Sequence, residues 1–188
     1  MTETDRASRP GGRSARVRAD VLAAVAAELT EHGYDGLTID AVAARSGVHR
    51  TTVYRRWKTV AGLLVDLLQT DDDWKPADTG SLEGDLIALN REVYEALTEQ
   101  PSVTQAVIAA SFRTPEAADA LTAFWADRYR RSAVVVERAI ARGEVPATTN
   151  AHEVVVAATG PLYHQLVLLK QPLTRAAADR YARLASGM

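Results

Sequence analysis

The sequence predicts an all-α protein of about nine helices, and three observations support that fold class. Apolar residues recur at spacings of three and four along most of the chain, which is the period of one face of an α-helix. Ser, Thr or Asn stands where several of these segments begin, and Gly or Pro stands near the points where they end. No stretch of useful length alternates apolar and polar residues as a half-buried strand does.

A basic segment precedes the first helix. Residues 1–12 are rich in Ser, Arg, Pro and Gly, so we expect a disordered basic tail there. Residues 1–60 carry 10 Lys and Arg against 7 Asp and Glu, whereas residues 61–188 carry 12 against 17. The positive excess near the N-terminus could meet phosphate groups, or it could simply solubilise the tail.

The first helix is predicted from Ser14 to His32 and Gly33. Gly suits the position just after the last turn of a helix. The residues of its core face recur at four-residue spacing: Val17, Val21, Val25 and Leu29.

Residues 38–57, TIDAVAARSGVHRTTVYRRW, have the layout of a helix-turn-helix. Thr38 is the predicted N-cap of the first helix of the motif, and Gly47 permits the left-handed backbone of a sharp turn. The second helix is predicted from about His49 to Arg56. The apolar stripe of the first helix consists of Ile39, Val42 and Ala43.

The second helix of the motif has two distinct faces. Val53 and Trp57 are four residues apart and can pack against the first helix. The other face is polar and cationic, which alone would be typical of any solvated helix. The cap and the turn glycine at fitting spacing favour a helix that reads the DNA major groove. This face comprises Thr51, Tyr54, Arg55 and Lys58 at positions i, i+3, i+4 and i+7.

The segment SGVHRTTVYRRW, preceded by HGYDGLTIDAVA and followed by AGLLVDLL, resembles the DNA-binding domain of the TetR family of one-component transcriptional regulators. The resemblance is specific over residues 13–68 and general beyond them. It implies that Thr52 and Tyr54 contact phosphates. The chain departs from the family in having Val60 where Lys is usual and His49 where a Ser N-cap is common. The predicted DNA-binding residues are Thr38, Arg50, Thr51, Thr52, Tyr54, Arg55 and Lys58.

The first helix and the two helices of the motif form a predicted DNA-binding head, and a fourth helix connects this head to the remainder of the chain. It is predicted from Thr59, whose hydroxyl can cap it, to Gln69. A charge run and Pro-Gly-containing loop over residues 71–80 then break the helical pattern. We therefore divide the chain into a DNA-binding domain over residues 13–58 and a ligand-binding and dimerisation domain over residues 59–188.

The helices of the second domain have recognisable starts and stops. One helix opens at Ser81 and ends before Pro101, and Pro101 is the expected first residue of the next. A long helix is predicted from Thr114 and Pro115 to Gly143.

The two C-terminal helices are capped by Asn150 and Thr174, and Gly160-Pro161 should kink the first of them or loosen its hydrogen bonding. Their surfaces are more apolar than a solvent-facing helix requires. They could bury within the monomer, but a homodimer through a four-helix bundle is the favoured interpretation and is also implied by the resemblance. Two heads related by a two-fold axis would read a palindromic operator in double-stranded DNA.

The resemblance also implies a pocket for a small-molecule effector among the middle helices. Such sites are mostly apolar with a few placed polar groups. His164 and Trp125 are the first choices, although a packed core position is the simpler interpretation of any single residue. The candidate lining residues are Tyr94, Gln105, Phe112, Trp125, Tyr129, Tyr163 and His164.

Composition and motifs argue against an enzyme, a metalloprotein or a membrane protein. The chain of 188 residues has no Cys, and its four His residues lack metal-ligand spacing. No phosphate-binding loop, nucleophile elbow, signal peptide or membrane-spanning run is present, so we expect a cytoplasmic protein without a cofactor. The predicted function is a ligand-responsive regulator, with repression as the usual sign in the family. The alternative is a DNA-binding adaptor whose second domain binds a protein partner and no small molecule.

Overall fold

The computed structural model describes residues 10–69 and 74–187. Within these ranges the chain is all-helical and contains no strand, which confirms the predicted fold class. Residues 1–9 of the expected N-terminal tail lie outside the described residues, whereas residues 10–12 already belong to the first helix. The helices are α1 (Pro10–Gly36), α2 (Ile39–Ser46), α3 (Arg50–Trp57), α4 (Val60–Leu68), α5 (Leu82–Thr98), α6 (Val103–Ser111), α7 (Pro115–Ser132), α8 (Val134–Arg142), α9 (Ala151–Tyr163), a π-helical turn (His164–Leu168) and α10 (Arg175–Ser186).

Helices α1 to α3 form the head, and the predicted capping residues are in place. The Thr38 hydroxyl accepts a hydrogen bond from the backbone N–H of Ala41 at 3.1 Å. Gly47 adopts φ 67° and ψ 8°, which is the left-handed conformation that turns the chain between α2 and α3. Arg45 of α2 donates to the nearly buried Glu28 carboxylate of α1 at 2.5 Å, so a paired charge fixes these two helices together.

Helix α1 begins earlier than predicted, and its regular part ends where predicted. It begins at Pro10 rather than Ser14, and helical residues continue to Gly36. Gly33 nevertheless has φ 68° and ψ −174°, so regular helix geometry stops where the sequence pattern placed the end.

Two helix boundaries in the second domain differ from the prediction. Helix α6 begins at Val103, not at Pro101, because Ser102 is the cap: its hydroxyl accepts from the Gln105 N–H and donates to the Ala96 carbonyl. The predicted long helix is divided at Ala133 into α7 and α8. Ala133 keeps right-handed helical dihedrals, φ −56° and ψ −25°, so the division is shallow.

Helix α9 runs through Pro161 to Tyr163 and is followed directly by a π-helical turn over His164–Leu168. Proline has no N–H and its ring crowds the preceding turn, yet α9 continues through Pro161, and the His164 N–H still donates to the Gly160 and Pro161 carbonyls. The Leu169 N–H donates to the His164 carbonyl at 2.9 Å, a bond that spans five residues. The helix is therefore not interrupted at Gly160-Pro161 itself, and the departure from α-helical bonding lies in the next turn, at His164–Leu168.

The core runs from the head into the second domain without interruption. Val107 of α6 and Ala117 of α7 belong to the same buried cluster as Val25 and Val53 of the head. Farther away, the buried Asn90 of α5 donates to backbone carbonyls of α9 and α10, each at 2.9 Å. A displacement of one helix would therefore also displace the helices that are packed against it.

Candidate functional site

Helix α3 turns one face to the core and the other to solvent. Val53 is fully buried and Trp57 is 6% exposed, and both pack into the head core. On the opposite side Thr51, Tyr54 and Arg55 are exposed, with Tyr54 at 60%. The buried face holds the helix rigidly, so the outer face is a fixed polar and cationic surface that could enter a groove of DNA.

Two predicted contact residues are engaged within the head. The Thr38 hydroxyl serves as the cap of α2, and its proton remains able to reach a phosphate oxygen. Arg50 Nε lies 2.7 Å from Asp40 Oδ1, and both side chains are well exposed. An exposed ion pair contributes little free energy, so Arg50 can leave Asp40 for a base or phosphate at small cost.

The two ends of α3 bear on the expectations for His49 and Lys58. His49 makes no side-chain capping bond, and its Nδ1 atom instead lies 3.0 Å from the Thr51 hydroxyl. Lys58 was expected on the same face as Thr51, but the helix ends at Trp57 and Lys58 has φ 61°. Helical spacing therefore does not determine the direction of the Lys58 side chain, although that side chain is exposed. Thr52 is half-buried.

The carboxylate of Asp66 on α4 accepts hydrogen bonds from α1 and from α3, and so links these three helices. Its Oδ2 atom accepts from Trp57 Nε1 of α3 at 2.7 Å, and its Oδ1 atom accepts from Arg18 Nη2 of α1 at 2.7 Å. Burial acts to raise the pKa of the Asp66 carboxyl, but the hydrogen bonds from Arg18 and Trp57 outweigh it and hold this pKa below its ordinary value. The sequence pattern did not reveal this contact because Arg18 and Asp66 are 48 residues apart.

A cavity of about 240 Å³ lies between α4, α5, α6, α7 and α9. Leu67 and Leu68, the two residues after Asp66, form its wall on α4. Most of the remaining wall is aliphatic or aromatic, with a few hydroxyl groups and one acidic and one basic residue. Its other lining residues are Leu89, Glu92, Val93, Ala96, Val103, Thr104, Val107, Ile108, Leu121, Phe124, Trp125, Arg128, Tyr129, Ser132, Val155, Thr159 and Tyr163.

Three of the seven candidate pocket residues meet at this cavity. The Trp125 and Tyr129 rings are stacked at a centroid distance of 5.7 Å, and the Tyr163 ring meets Trp125 edge-on at 5.1 Å. Together they form one aromatic wall, supplied by α7 and α9. Such ring pairs have a preferred geometry and therefore a defined shape.

The other four candidates lie elsewhere, each for a local reason. Tyr94 packs in a cluster with residues of α9 and α10, and Gln105 Nε2 donates to the Leu97 carbonyl at 2.7 Å. Phe112 follows the last residue of α6 and is 80% exposed, and it lines a neighbouring surface pocket that shares Trp125, Tyr129 and Tyr163 with the cavity. His164 is exposed because it is the neighbour of Tyr163, and successive helical residues are turned by about 100°.

The charged residues of the cavity satisfy one another. Arg128 Nη2 lies 3.5 Å from Glu92 Oε2, and Trp74 Nε1 donates to the same oxygen at 2.8 Å. The Arg128 guanidinium also lies 3.4 Å from the centre of the Trp74 ring. Neither residue was predicted, because Glu92 and Arg128 come together only when α5 and α7 pack.

Comparison with protein families gives one match over the segment that contains α3 and a second match over most of the helices that enclose the cavity. Residues 21–67 match the family described as "Bacterial regulatory proteins, tetR family", and residues 76–185 match "Tetracyclin repressor-like, C-terminal domain". The chain belongs to the TetR family of transcriptional regulators. Proteins of this family generally bind DNA as dimers, and the outward face of α3 lies within the matched TetR segment.

Relatives within the TetR family extend over most of the chain. The HTH-type transcriptional regulator AqdR of Rhodococcus erythropolis is 35% identical over 156 residues, which cover 81% of this chain and 74% of AqdR. The DNA-binding transcriptional repressor TetR of Mycobacteroides abscessus is 32% identical over 159 residues, covering 80% and 83%. A crystal structure of a TetR family transcription regulator superposes with a TM-score of 0.72 at 28% identity and covers 92% of this chain and 98% of that one.

One departure from the TetR pattern has a structural counterpart. Val60 occupies the position where Lys is usual in the family, and it is half-buried against the head core as the first residue of α4. In residues 10–69 and 74–187, no group of three or more His, Cys, Asp or Glu side chains is placed to hold a metal ion. None of the helices in these ranges offers an apolar stretch of the length that a bilayer span requires.

Proposed function

We propose that this TetR-family protein is a ligand-responsive repressor that binds a palindromic operator as a homodimer and leaves it when a small molecule fills the cavity. The observation that carries the proposal is the arrangement of consecutive residues on α4. Asp66 binds Trp57 and Arg18 of the head, while Leu67 and Leu68 line the cavity. A ligand that displaces these leucines therefore acts within two residues of Asp66, the attachment point of the head.

The DNA contacts follow from the exposed side of α3. Arg50 and Arg55 are the candidates for bidentate contact with guanine, and Thr51 adds a hydroxyl on the same side. Thr38, Thr52 and Tyr54 are assigned to phosphates, where they would fix the position of the helix without reading sequence. Lys58 is exposed close to this surface and would supply a further phosphate contact.

We assign the dimer interface to α9 and α10. Val156 of α9 is 37% exposed and Leu184 of α10 is 65% exposed, so both helices retain apolar groups on their outer surfaces. Gly160 lies on the same helix as Val156, and an added Cβ there would meet no atom within 4 Å, which leaves room for close approach of another helix. This interface would place two heads about one turn of DNA, or a multiple of it, apart. In this division residues 13–58 bind DNA and residues 59–188 bind the effector and the second copy.

The cavity favours an effector over the alternative of an adaptor that binds only protein. An adaptor has no need of an internal space lined by hydroxyl groups, because unfilled volume costs stability. Repression is supported by the M. abscessus relative, whose name describes a repressor. No catalytic step and no resident cofactor are part of this function, which we place in the cytoplasm with the DNA.

The test is a linkage measurement with an operator selected from random DNA. A metabolite library is screened by thermal stabilisation, and operator affinity is then measured by fluorescence anisotropy with and without each hit. We expect a hit to weaken operator binding by 5- to 150-fold, and the operator to weaken binding of the hit by the same factor. Equal operator affinities with and without every stabilising compound would reject ligand control.

A further inference from the structure

Four residues that line the cavity carry a hydroxyl group with no hydrogen-bond partner among the described residues. Three of them lie on α7 and α9, namely Tyr129, Ser132 and Tyr163, and the fourth is Thr104 of α6. Ser132 is only 2% exposed. None of these hydroxyl oxygens belongs to the fully buried polar atoms that lack a partner, so each remains accessible from the cavity, where a ligand can supply the hydrogen bond.

These hydroxyls are donors under ordinary conditions. Burial raises the pKa of the Tyr163 hydroxyl, and the neighbouring Tyr129 acts in the same direction while Arg128 opposes them. The Tyr163 group therefore stays protonated and can donate to a carbonyl or hydroxyl oxygen. Thr159 also faces the cavity, but its hydroxyl already donates to the Val155 carbonyl at 2.9 Å.

The walls restrict what can accompany such an oxygen. Trp125 presents an aromatic surface, and Leu67, Leu68 and Val107 close the side nearest the head. A flat apolar ring system matches this enclosure, since aromatic groups pack favourably against other rings. The oxygen of the ligand would then lie toward α7 and α9, and its ring would lie against α4.

The pairing of the charged residues that line the cavity disfavours an ionic ligand. Glu92 and Arg128 are the charged residues among its described lining, and they pair with each other beside Trp74. An added carboxylate or ammonium would enter an apolar space without an unpaired counter-ion, and such burial is costly. An uncharged ligand avoids this cost.

We propose that the effector is an uncharged aromatic compound with a ketone or phenol oxygen, which binds with that oxygen at Tyr163 and Ser132 and with its ring against Trp125, Leu67 and Leu68. This inference rests on the proposed function, because it names the chemical class of the ligand for the same cavity. It also explains how the ligand meets α4 through its apolar portion.

The test compares four naphthalenes of similar size, each substituted at the same ring position. Acetylnaphthalene is neutral and carries a carbonyl, isopropylnaphthalene lacks the oxygen, naphthoate is anionic and naphthylethylammonium is cationic. Affinities are measured by isothermal titration calorimetry. We expect acetylnaphthalene to bind about tenfold more tightly than isopropylnaphthalene, and both ions to bind more weakly than acetylnaphthalene by at least about tenfold.

Variants locate the oxygen contact. Tyr163→Phe and Ser132→Ala should each reduce the advantage of acetylnaphthalene over isopropylnaphthalene, and the affinity for isopropylnaphthalene should stay within about twofold. Tyr94→Phe is the matched control, because Tyr94 loses the same hydroxyl outside the cavity. It should change none of the four affinities.

The outcomes separate this inference from the proposed function. Preferential binding of either ion would overturn the chemical class, and release of the operator by that ion would still support ligand control. Equal binding of acetylnaphthalene and isopropylnaphthalene, or an unchanged preference in both cavity variants, would overturn the assigned oxygen contact. Failure of all four probes to bind would also reject the inference, while the library screen would decide ligand control independently.

Discussion

Replacement of Asp66 by Ala removes the hydrogen-bond acceptor that attaches α4 to helices α1 and α3 of the head. Trp57 is 6% exposed, so its Nε1 donor would lose its partner without access to much water, and Arg18 would lose a close ion pair. Hydrogen bonds to charged groups contribute about 1.5–3 kcal/mol each, and Arg18 is partly exposed, so we expect a total loss of about 2–3 kcal/mol. For a chain of this length that lowers Tm by roughly 4–12 °C.

The assay combines urea unfolding with operator release. The midpoint in urea should fall in Asp66→Ala at an unchanged m-value, and the fold-change in operator affinity caused by an effector should shrink toward one. Asp35→Ala is the matched control: Asp35 pairs with Arg113 at 2.6 Å, but both side chains are mostly exposed, so its loss should cost less than about 1 kcal/mol. The reasoning fails if the two variants unfold alike, or if Asp66→Ala retains full operator release.

Four other predictions concern acid stability, DNA contacts and assembly. Because the folded pKa of Asp66 is depressed, its stabilising effect relative to Asp66→Asn should be fully present above about pH 5 and be lost as the pH falls through that pKa, as measured by urea unfolding at several pH values. Arg50→Ala or Arg55→Ala should cost about 1–3 kcal/mol on the selected operator and relax preference at one base pair, which competition with single-base variants would measure. Lys58→Ala should weaken all duplexes alike and reduce the slope of log affinity against log salt by about one; an unchanged slope would remove Lys58 from the phosphate contacts. Val156→Glu should shift the chain toward monomer in light scattering, and a fully dimeric variant would contradict the interface on α9.

Local chemistry was sufficient to predict most helix starts. The hydroxyls of Thr38, Thr59, Ser81 and Thr114 each accept a backbone N–H three residues later, as a capping residue does. Capping involves only neighbours in sequence, so it can be recognised without knowledge of the fold. The start of α6 was wrongly predicted at Pro101 from the same kind of local signal, because the neighbouring Ser102 is the residue that caps this helix.

The exposed face of α3 was also predictable, because helical periodicity separates Val53 and Trp57 from Thr51, Tyr54 and Arg55. Lys58 was assigned to that face by extending the period one residue beyond the end of the helix. Periodicity has no meaning after the last helical residue, so the assignment of Lys58 to this face stays a prediction.

The cavity could be predicted only in part. Trp125, Tyr129 and Tyr163 were identified as large amphipathic side chains in apolar stretches, but the same criterion selected Phe112 and His164, which face outward. Which side chains converge is decided by how five helices pack, and that information is spread over the whole chain. The same holds for the distant contact between Arg18 and Asp66.

Selection of bound DNA from a random pool by the purified full-length chain tests the central claim most directly. We predict enrichment of one palindrome, bound by two copies of the chain, with half-sites separated by about one helical turn or a multiple of it. Arg55→Ala in the same selection should lose preference at symmetric positions of both half-sites. A monomer that enriches no sequence even at low salt would contradict the account.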